Sequence, residues 1–273
     1  MRGILWLQEI IPAAYDSVGH KAAYLGRLLK GDYPVPPGFV LTHELLRQHR
    51  RCDWEHDLSE ALERLPGPWI ARSSSSAEDS QGMAFPGLFK TILGLSSVTS
   101  VADAVEEVVS SLTSDAVEAY ALHHRRQSQE FRMAVLIQHM LNPQSSGVAF
   151  SRHPTGSREM VAIEATYGLG APLVDGRITP DLVLVDESGR TDFVRIGSKR
   201  IRASLVNTHV QYDEATEDDR RRPAITIRDA RSIACMARHL EATLGEPQDI
   251  EWAIENHRLY LLQSRPITTL AVK

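Results

Sequence analysis

The chain has 273 residues, enough for a sizeable core in one bilobed domain or two. Its composition, 42% hydrophobic and 24% charged, is that of an ordinary globular protein, and a net charge of −5 excludes a broad basic surface for nucleic acid. Cys52 and Cys235 form no C-x-x-C and no zinc pattern. The first apolar run, Ile4-Leu5-Trp6-Leu7, is too short for a secretory segment, and no stretch approaches the roughly 18 apolar residues of a membrane span. The expectation is a cytoplasmic protein that engages neither membrane nor nucleic acid.

In chain order, Gly19 opens a short helix to Lys30, with Leu25, Leu28 and Leu29 as its apolar face. Gly31 and the stiff stretch Tyr33-Pro34-Val35-Pro36-Pro37-Gly38 end it. Phe39-Val40-Leu41-Thr42 reads as a buried strand whose Thr42 caps a helical stretch over 43–65. Trp69 to Ser74 reads as a strand running into a Ser/Gly-rich loop, from Ser75 to Gly87, that carries Glu78 and Asp79. Leu88 to Leu93 reads as the next strand, and 98–126 as two helical segments. Strands follow at 133–138, 147–151, 161–165 and 181–186. Glu214 to Arg222 is a charge run read as an exposed loop. Residues 226–244 form an amphipathic helix with Ile233, Met236, Ala237 and Leu240 on one face, closed by Gly245. The elements lack a regular βαβ rhythm, so the expected class is α+β with antiparallel sheets.

The closing segment carries the most chemistry. Two apolar runs flank Glu255-Asn256-His257-Arg258, which reads as a β-hairpin turn. Alternation puts Asp249, Glu251 and Ala253 on one face, and Leu259, Leu261, Gln263 and Arg265 on one face of the partner strand. In a tight hairpin Glu251 and Gln263 sit opposite each other. A carboxylate and an amide oxygen there, beside a guanidinium, suit Mg²⁺ with phosphate oxygens; the alternative is an edge hairpin with solvated polar residues. Arg72, at the end of a strand, either clamps a phosphate or caps a sheet edge. Lys21 follows a glycine at a helix start, where an anion is favoured, or is a surface lysine. His123-His124-Arg125-Arg126 reads as a solvated helix end, and His153 receives no chemistry. Gly168-Leu169-Gly170 does not complete G-x-G-x-x-G, and no P-loop, zinc-protease or serine-elbow motif occurs.

Ordered segments nevertheless resemble one family along nearly the whole chain. They are Val18-Gly19-His20-Lys21-Ala22-Ala23-Tyr24-Leu25-Gly26, Pro34 to Thr42, Ala71-Arg72-Ser73-Ser74 with Ala77-Glu78-Asp79, Met133 to Gln138 and Ser146-Gly147-Val148-Ala149-Phe150. Gly168-Leu169-Gly170, Thr179-Pro180-Asp181, Gly197-Ser198-Lys199, Pro247 to Trp252 and Leu262-Gln263-Ser264-Arg265-Pro266 complete the series. The chain resembles the ATP-grasp nucleotide-binding domain of phosphoenolpyruvate synthase, pyruvate phosphate dikinase and rifampicin phosphotransferase. The resemblance implies a bilobed α+β fold with the nucleotide between lobes at 1–137 and 138–273, and ATP with Mg²⁺ as ligands. It implies that Lys21, Arg72 and Arg265 contact phosphate, that Asp249, Glu251 and Gln263 form the metal end, and that Lys21, Arg72, Glu251, Gln263 and Arg265 serve catalysis. Gln138, His139 and Met140 would form the adenine-side hinge, with Glu164 near ribose or adenine.

The chain departs from the family pattern at His20, where a second glycine is usual, at Ser73-Ser74-Ser75-Ser76 and at Ala171. These positions bear on substrate preference more than on ATP binding. The sequence ends a few residues after Pro266, so the expectation is a nucleotide module without the phosphohistidine and pyruvate-binding domains of multidomain relatives. Three functions stay open: phosphoryl transfer from ATP to a histidine on a separate protein or to a small molecule, ligation through an acyl phosphate, or nucleotide binding without turnover.

Overall fold

The computed structural model describes residues 3–75, 90–114, 117, 131–153 and 160–267. The chain divides into two compact units, Met1–Met140 and Leu141–Lys273, so Gln138, His139 and Met140 belong to the first. Among the described residues, each unit is built on a mainly antiparallel sheet with helices against it, the α+β class the sequence suggests. No described helix is long and apolar enough to cross a membrane.

In the first unit the strands run in the order β1 (Ile4–Trp6), β2 (Gly38–Leu41), β5 (Met133–His139), β3 (Trp69–Ser75), β4 (Thr91–Leu95). Register aligns Phe39 with Ile137 and Ile137 with Ala71. These residues, with Val135 and Met133, form a core against α3 (Arg51–Arg64) and α4 (Val98–Ser110). The opposite face, with Val40, Leu136, Ser74 and Arg72, meets α1 (Tyr15–Lys30). The sequence reading starts this helix at Gly19. A helical turn in fact precedes it, and Gly19 is a kink at φ +74°. A Cβ there would lie 2.1 Å from the Ser74 carbonyl oxygen, so both the dihedral and the close approach require glycine. The helical stretch over 43–65 splits into α2 (His43–Gln48) and α3, because Arg50 is extended and Asp53 accepts its backbone N–H as a new cap. Thr42 caps α2 as expected. The loop residues Glu78 and Asp79, the strand start at Leu88 and Phe89, and the helix and histidines over 118–126 lie outside the described residues.

In the second unit the sheet order is β13 (Arg258–Pro266), β12 (Gln248–Glu255), β6 (Ser145–Phe150), β7 (Val161–Tyr167), β8 (Asp181–Val185), β9 (Thr191–Arg195), and a one-turn helix, α5 (Ala171–Val174), lies between β7 and β8 in the chain. One face is apolar and closed. Ile250, Trp252, Leu261, Ala149, Ile163 and Val185 are all fully buried, and a long helix, α7 (Ile227–Leu244), packs across these strands. Ile233, Met236, Ala237 and Leu240 face inward and Gly245 adopts the left-handed conformation that ends it, both as the sequence suggests. Strand β9 and the separate hairpin β10 (Ile201–Val206) and β11 (His209–Glu214) escape the sequence reading because their apolar residues are sparse and half-exposed. The charge run at 214–222 is not all loop: it holds a one-turn helix, α6 (Glu217–Arg221), capped by Thr216 and laced by exposed i,i+4 pairs Glu217–Arg221 and Asp218–Arg222.

Candidate active-site residues

The cationic group of the first unit gathers where α1 begins and β3 ends. After the Gly19 kink, the Ala22 N–H donates to Ser74 Oγ (3.0 Å), and that hydroxyl donates to the Val18 carbonyl (2.6 Å). This fixes the helix start on the strand end, and Lys21 Nζ donates to the Ser73 carbonyl (3.1 Å). Arg72 is buried one residue earlier, and its Nη1 lies 3.4 Å from Gln138 Oε1. Gln138 in turn donates through Nε2 to the Pro36 carbonyl (3.0 Å). Its side chain runs over Gly38, where a Cβ would approach its Cγ to 2.7 Å; the proline-glycine turn read from sequence thus makes room for this amide. Lys21, Arg72 and Gln138 are therefore brought together, each held by the unit's own backbone or side chains.

His139 and Met140 continue from this point. The His139 N–H donates to the Pro37 carbonyl and its Nδ1 lies 2.9 Å from the Pro66 carbonyl. The Met140 N–H donates to the Pro68 carbonyl, and its sulfur accepts from the Gly94 N–H (3.0 Å).

The second unit presents its polar residues on the open face of the sheet, the one away from the apolar core. Directly opposed residues in antiparallel strands point to one side. The register links Gln263 to Glu251, Glu251 to Val148, Val148 to Glu164, Glu164 to Leu182 and Leu182 to Arg195. One line across six strands thus carries Gln263, Glu251, Glu164 and Arg195 on a single face. A second line, one step along, carries Arg265, Asp249, Phe150, Ala162, Leu184 and Phe193. Two strand spacings, about 10 Å, separate the backbones of Glu251 and Glu164.

The hairpin corrects one expectation. Leu259 and Leu261 do not share a face with Gln263 and Arg265. Glu251 pairs with Gln263 but Trp252 pairs with Leu261, so Leu262 is an extra residue, a β-bulge. Without it, strict alternation would put either Leu261 in solvent or Gln263 in the core. With it, Leu261 is fully buried beside Trp252 while Gln263 and Arg265 emerge with Glu251 and Asp249. At the other end, Asn256 and His257 both take positive φ (50° and 62°), a tight two-residue turn where the sequence suggested four residues.

Within the open face, Arg265 grips Asp249 with two nitrogens, Nε at 2.8 Å and Nη2 at 2.7 Å from one carboxylate oxygen. Glu251 and Gln263 stand half-buried beside that pair. Burial pushes the Glu164 carboxyl above its ordinary range; Arg195 pulls it back and Asp249 adds to the rise. Arg195 is the charged residue of this face that sequence reading missed. Its only available signal was membership of β9, a strand without clear alternation.

The donor set of Glu251, Gln263 and Asp249 is all oxygen, which fits a hard cation such as Mg²⁺. Among the described residues no three His, Cys, Asp or Glu side chains converge to hold an ion. Mg²⁺ takes one or two protein ligands and completes its shell with phosphate and water. A recess of about 530 Å³ in the second unit, bounded by Ser151, Arg152, Glu187, Arg238 and Glu241, is lined by none of the sequence-predicted site residues.

Residues 52–273 match the family model of the pyruvate phosphate dikinase AMP/ATP-binding domain. The chain belongs to this family. It is 28% identical, over 98% of its length, to a probable phosphoenolpyruvate synthase of Archaeoglobus fulgidus and covers 42% of that protein. It is 33% identical over 98% of its length to a probable phosphoenolpyruvate synthase of Methanothermobacter thermautotrophicus, covering 46% of it. It is 31% identical over 98% of its length to a rifampicin phosphotransferase of Bacillus subtilis, covering 36% of that enzyme. The chain therefore spans between a third and a half of these curated relatives. Family membership makes it a nucleotide-binding domain of a phosphotransferase family.

Proposed function

We propose that the chain binds Mg-ATP and carries out the nucleotide half of a phosphoryl transfer, in the manner of an ATP-grasp module. The observation that supports this best is the in-register pairing of Glu251 with Gln263 on the open sheet face, with Asp249 and Arg265 paired one step along. In this reading Glu251 and Gln263 supply the protein oxygens for Mg²⁺. Asp249 orients Arg265 toward phosphate. Mg²⁺ would neutralise charge on the phosphoryl group in transfer.

The cations of the first unit take complementary roles. Lys21, held at a helix start, and Arg72, oriented by Gln138, bind phosphate oxygens. Gln138 to Met140 line the adenine side, and Glu164 accepts from ribose or adenine. None of these residues forms a covalent bond; they position and compensate charge, which is what phosphoryl transfer demands. The acceptor is a histidine on a phosphohistidine domain, or a small molecule, as the rifampicin phosphotransferase relative suggests.

Product analysis tests this reading. The chain is incubated with Mg-ATP, alone and with a phosphohistidine domain or candidate small acceptors. AMP plus phosphate marks a dikinase half-reaction, and ADP marks a kinase. The absence of Mg-dependent ATP binding at millimolar nucleotide would overturn the reading.

A further inference from the structure

The bulge at Leu262 creates a problem of register. A slip of β13 by one residue would send Gln263 and Arg265 into the core and Ser264 to the open face. Pairing is interrupted at the bulge, between Glu251 and Trp252. Something on the core side must hold the strand in place.

A chain of hydrogen bonds does so. Ser264, buried between Gln263 and Arg265, donates from Oγ to Gln248 Oε1 (2.8 Å). Gln248 is fully buried, and its Nε2 donates to the Glu246 carbonyl (3.0 Å). Its backbone exchanges two bonds with Ser151: the Gln248 N–H donates to Ser151 Oγ (2.8 Å), and the Ser151 N–H donates to the Gln248 carbonyl (2.8 Å). Ser151 Oγ donates onward to Glu241 Oε2 (2.5 Å) on α7, whose other oxygen is held by Arg152. The chain thus ties β13, β12, the end of β6 and α7 together directly behind the metal and phosphate residues. A slipped register would break the Ser264–Gln248 bond inside the core, which is costly.

We propose that the Ser264–Gln248–Ser151 chain is a register lock, and that Ser264 and Gln248 are positioning residues for Gln263 and Arg265. The functional side of this inference rests on the phosphotransferase reading above; the structural side does not. Two variants break the same bond from either end: Ser264→Ala removes the donor, and Gln248→Met removes the acceptor at similar volume, along with its donation to the Glu246 carbonyl. Each should speed hydrogen exchange at the amides of residues 262–265. Well below the melting temperature, each should raise the Mg²⁺ concentration for half-maximal ATP binding about fivefold, the worth of one lost hydrogen bond. Metal-free ATP affinity should fall by a smaller factor, through Arg265 alone. Because Ser264 acts through this one bond, the double variant should be no worse than Gln248→Met alone. A merely structural role would lower the melting temperature of both and leave the Mg²⁺ requirement unchanged, and that result overturns the proposal. Additive effects in the double variant would overturn it too. If the parent shows no Mg-dependent ATP binding, the phosphotransferase reading fails, and exchange alone decides the lock: faster exchange in either variant supports it, and parent-like exchange refutes it.

Discussion

The two charged groups are built in opposite ways. In the first unit, Arg72 and Gln138 are buried and bonded to each other, and Lys21 is tied to backbone. In the second, Glu251, Gln263 and Glu164 stand half-buried on an open sheet face, and Asp249 is paired with Arg265. A cation can be held ready by carbonyls and an amide at little cost. Carboxylates lined up on one face repel one another, and their stability improves when a metal or a cation arrives. The first group should therefore contribute to folding as well as function, whereas the second should contribute to function at the expense of the ligand-free fold.

Glu251→Gln gives the largest separation of the two effects. Loss of one electrostatic contact to the transferring group costs roughly 3–4 kcal/mol, or about 10²–10³ in rate. Turnover in a coupled assay should fall by that factor while the melting temperature stays near the parent value. Arg72→Ala should break the pattern from the other side. It should slow turnover and also destabilise the first unit by about 1–3 kcal/mol, because the buried Gln138 amide oxygen loses the Arg72 guanidinium; thermal denaturation reads the difference. Lys21→Ala should slow turnover with a smaller loss of stability, since Lys21 itself stands half-exposed.

Glu164→Gln sharpens the comparison through pH. The folded chain raises this carboxyl above its ordinary 4.5, so it binds a proton more tightly than the unfolded chain does. Ionising it costs stability as pH rises from 4.5 through the raised value. The variant should be more stable than the parent at pH 7, by on the order of a degree or two in melting temperature, with the gain vanishing below pH 4.5. A gain that persists at low pH would point to packing and not to charge. Glu217→Gln is the smallest case. Its pair with Arg221 is fully exposed on α6, so stability and turnover should both stay within about 0.5 kcal/mol of the parent.

The sequence made much of this legible, for identifiable reasons. The hairpin showed through because two apolar runs flank a polar turn, and Glu251 lies opposite Gln263 as alternation suggests. The helix caps at Thr42 and Gly245 showed through because capping is local chemistry. What stayed hidden depends on tertiary pairing. The bulge at Leu262 leaves no mark in alternation, since Leu259, Leu261 and Gln263 keep period two while the ladder does not. Strand β9, and with it Arg195, was hidden because an edge strand buries little and so carries little apolar pattern. The partnership of Arg72 with Gln138 joins residues 66 positions apart and follows only from the register of β3 against β5.

The central claim is that Glu251 and Gln263 hold the metal on the open face. Mn²⁺ in place of Mg²⁺, added with ATP to isotope-labelled protein, tests it most directly, because paramagnetic broadening falls steeply with distance. The account predicts that the Glu251 amide and the Gln263 amide and side-chain NH₂ signals broaden first, and only when ATP is present, while those of Arg195 and Glu217 persist. Broadening centred elsewhere, or the same with and without ATP, would contradict it.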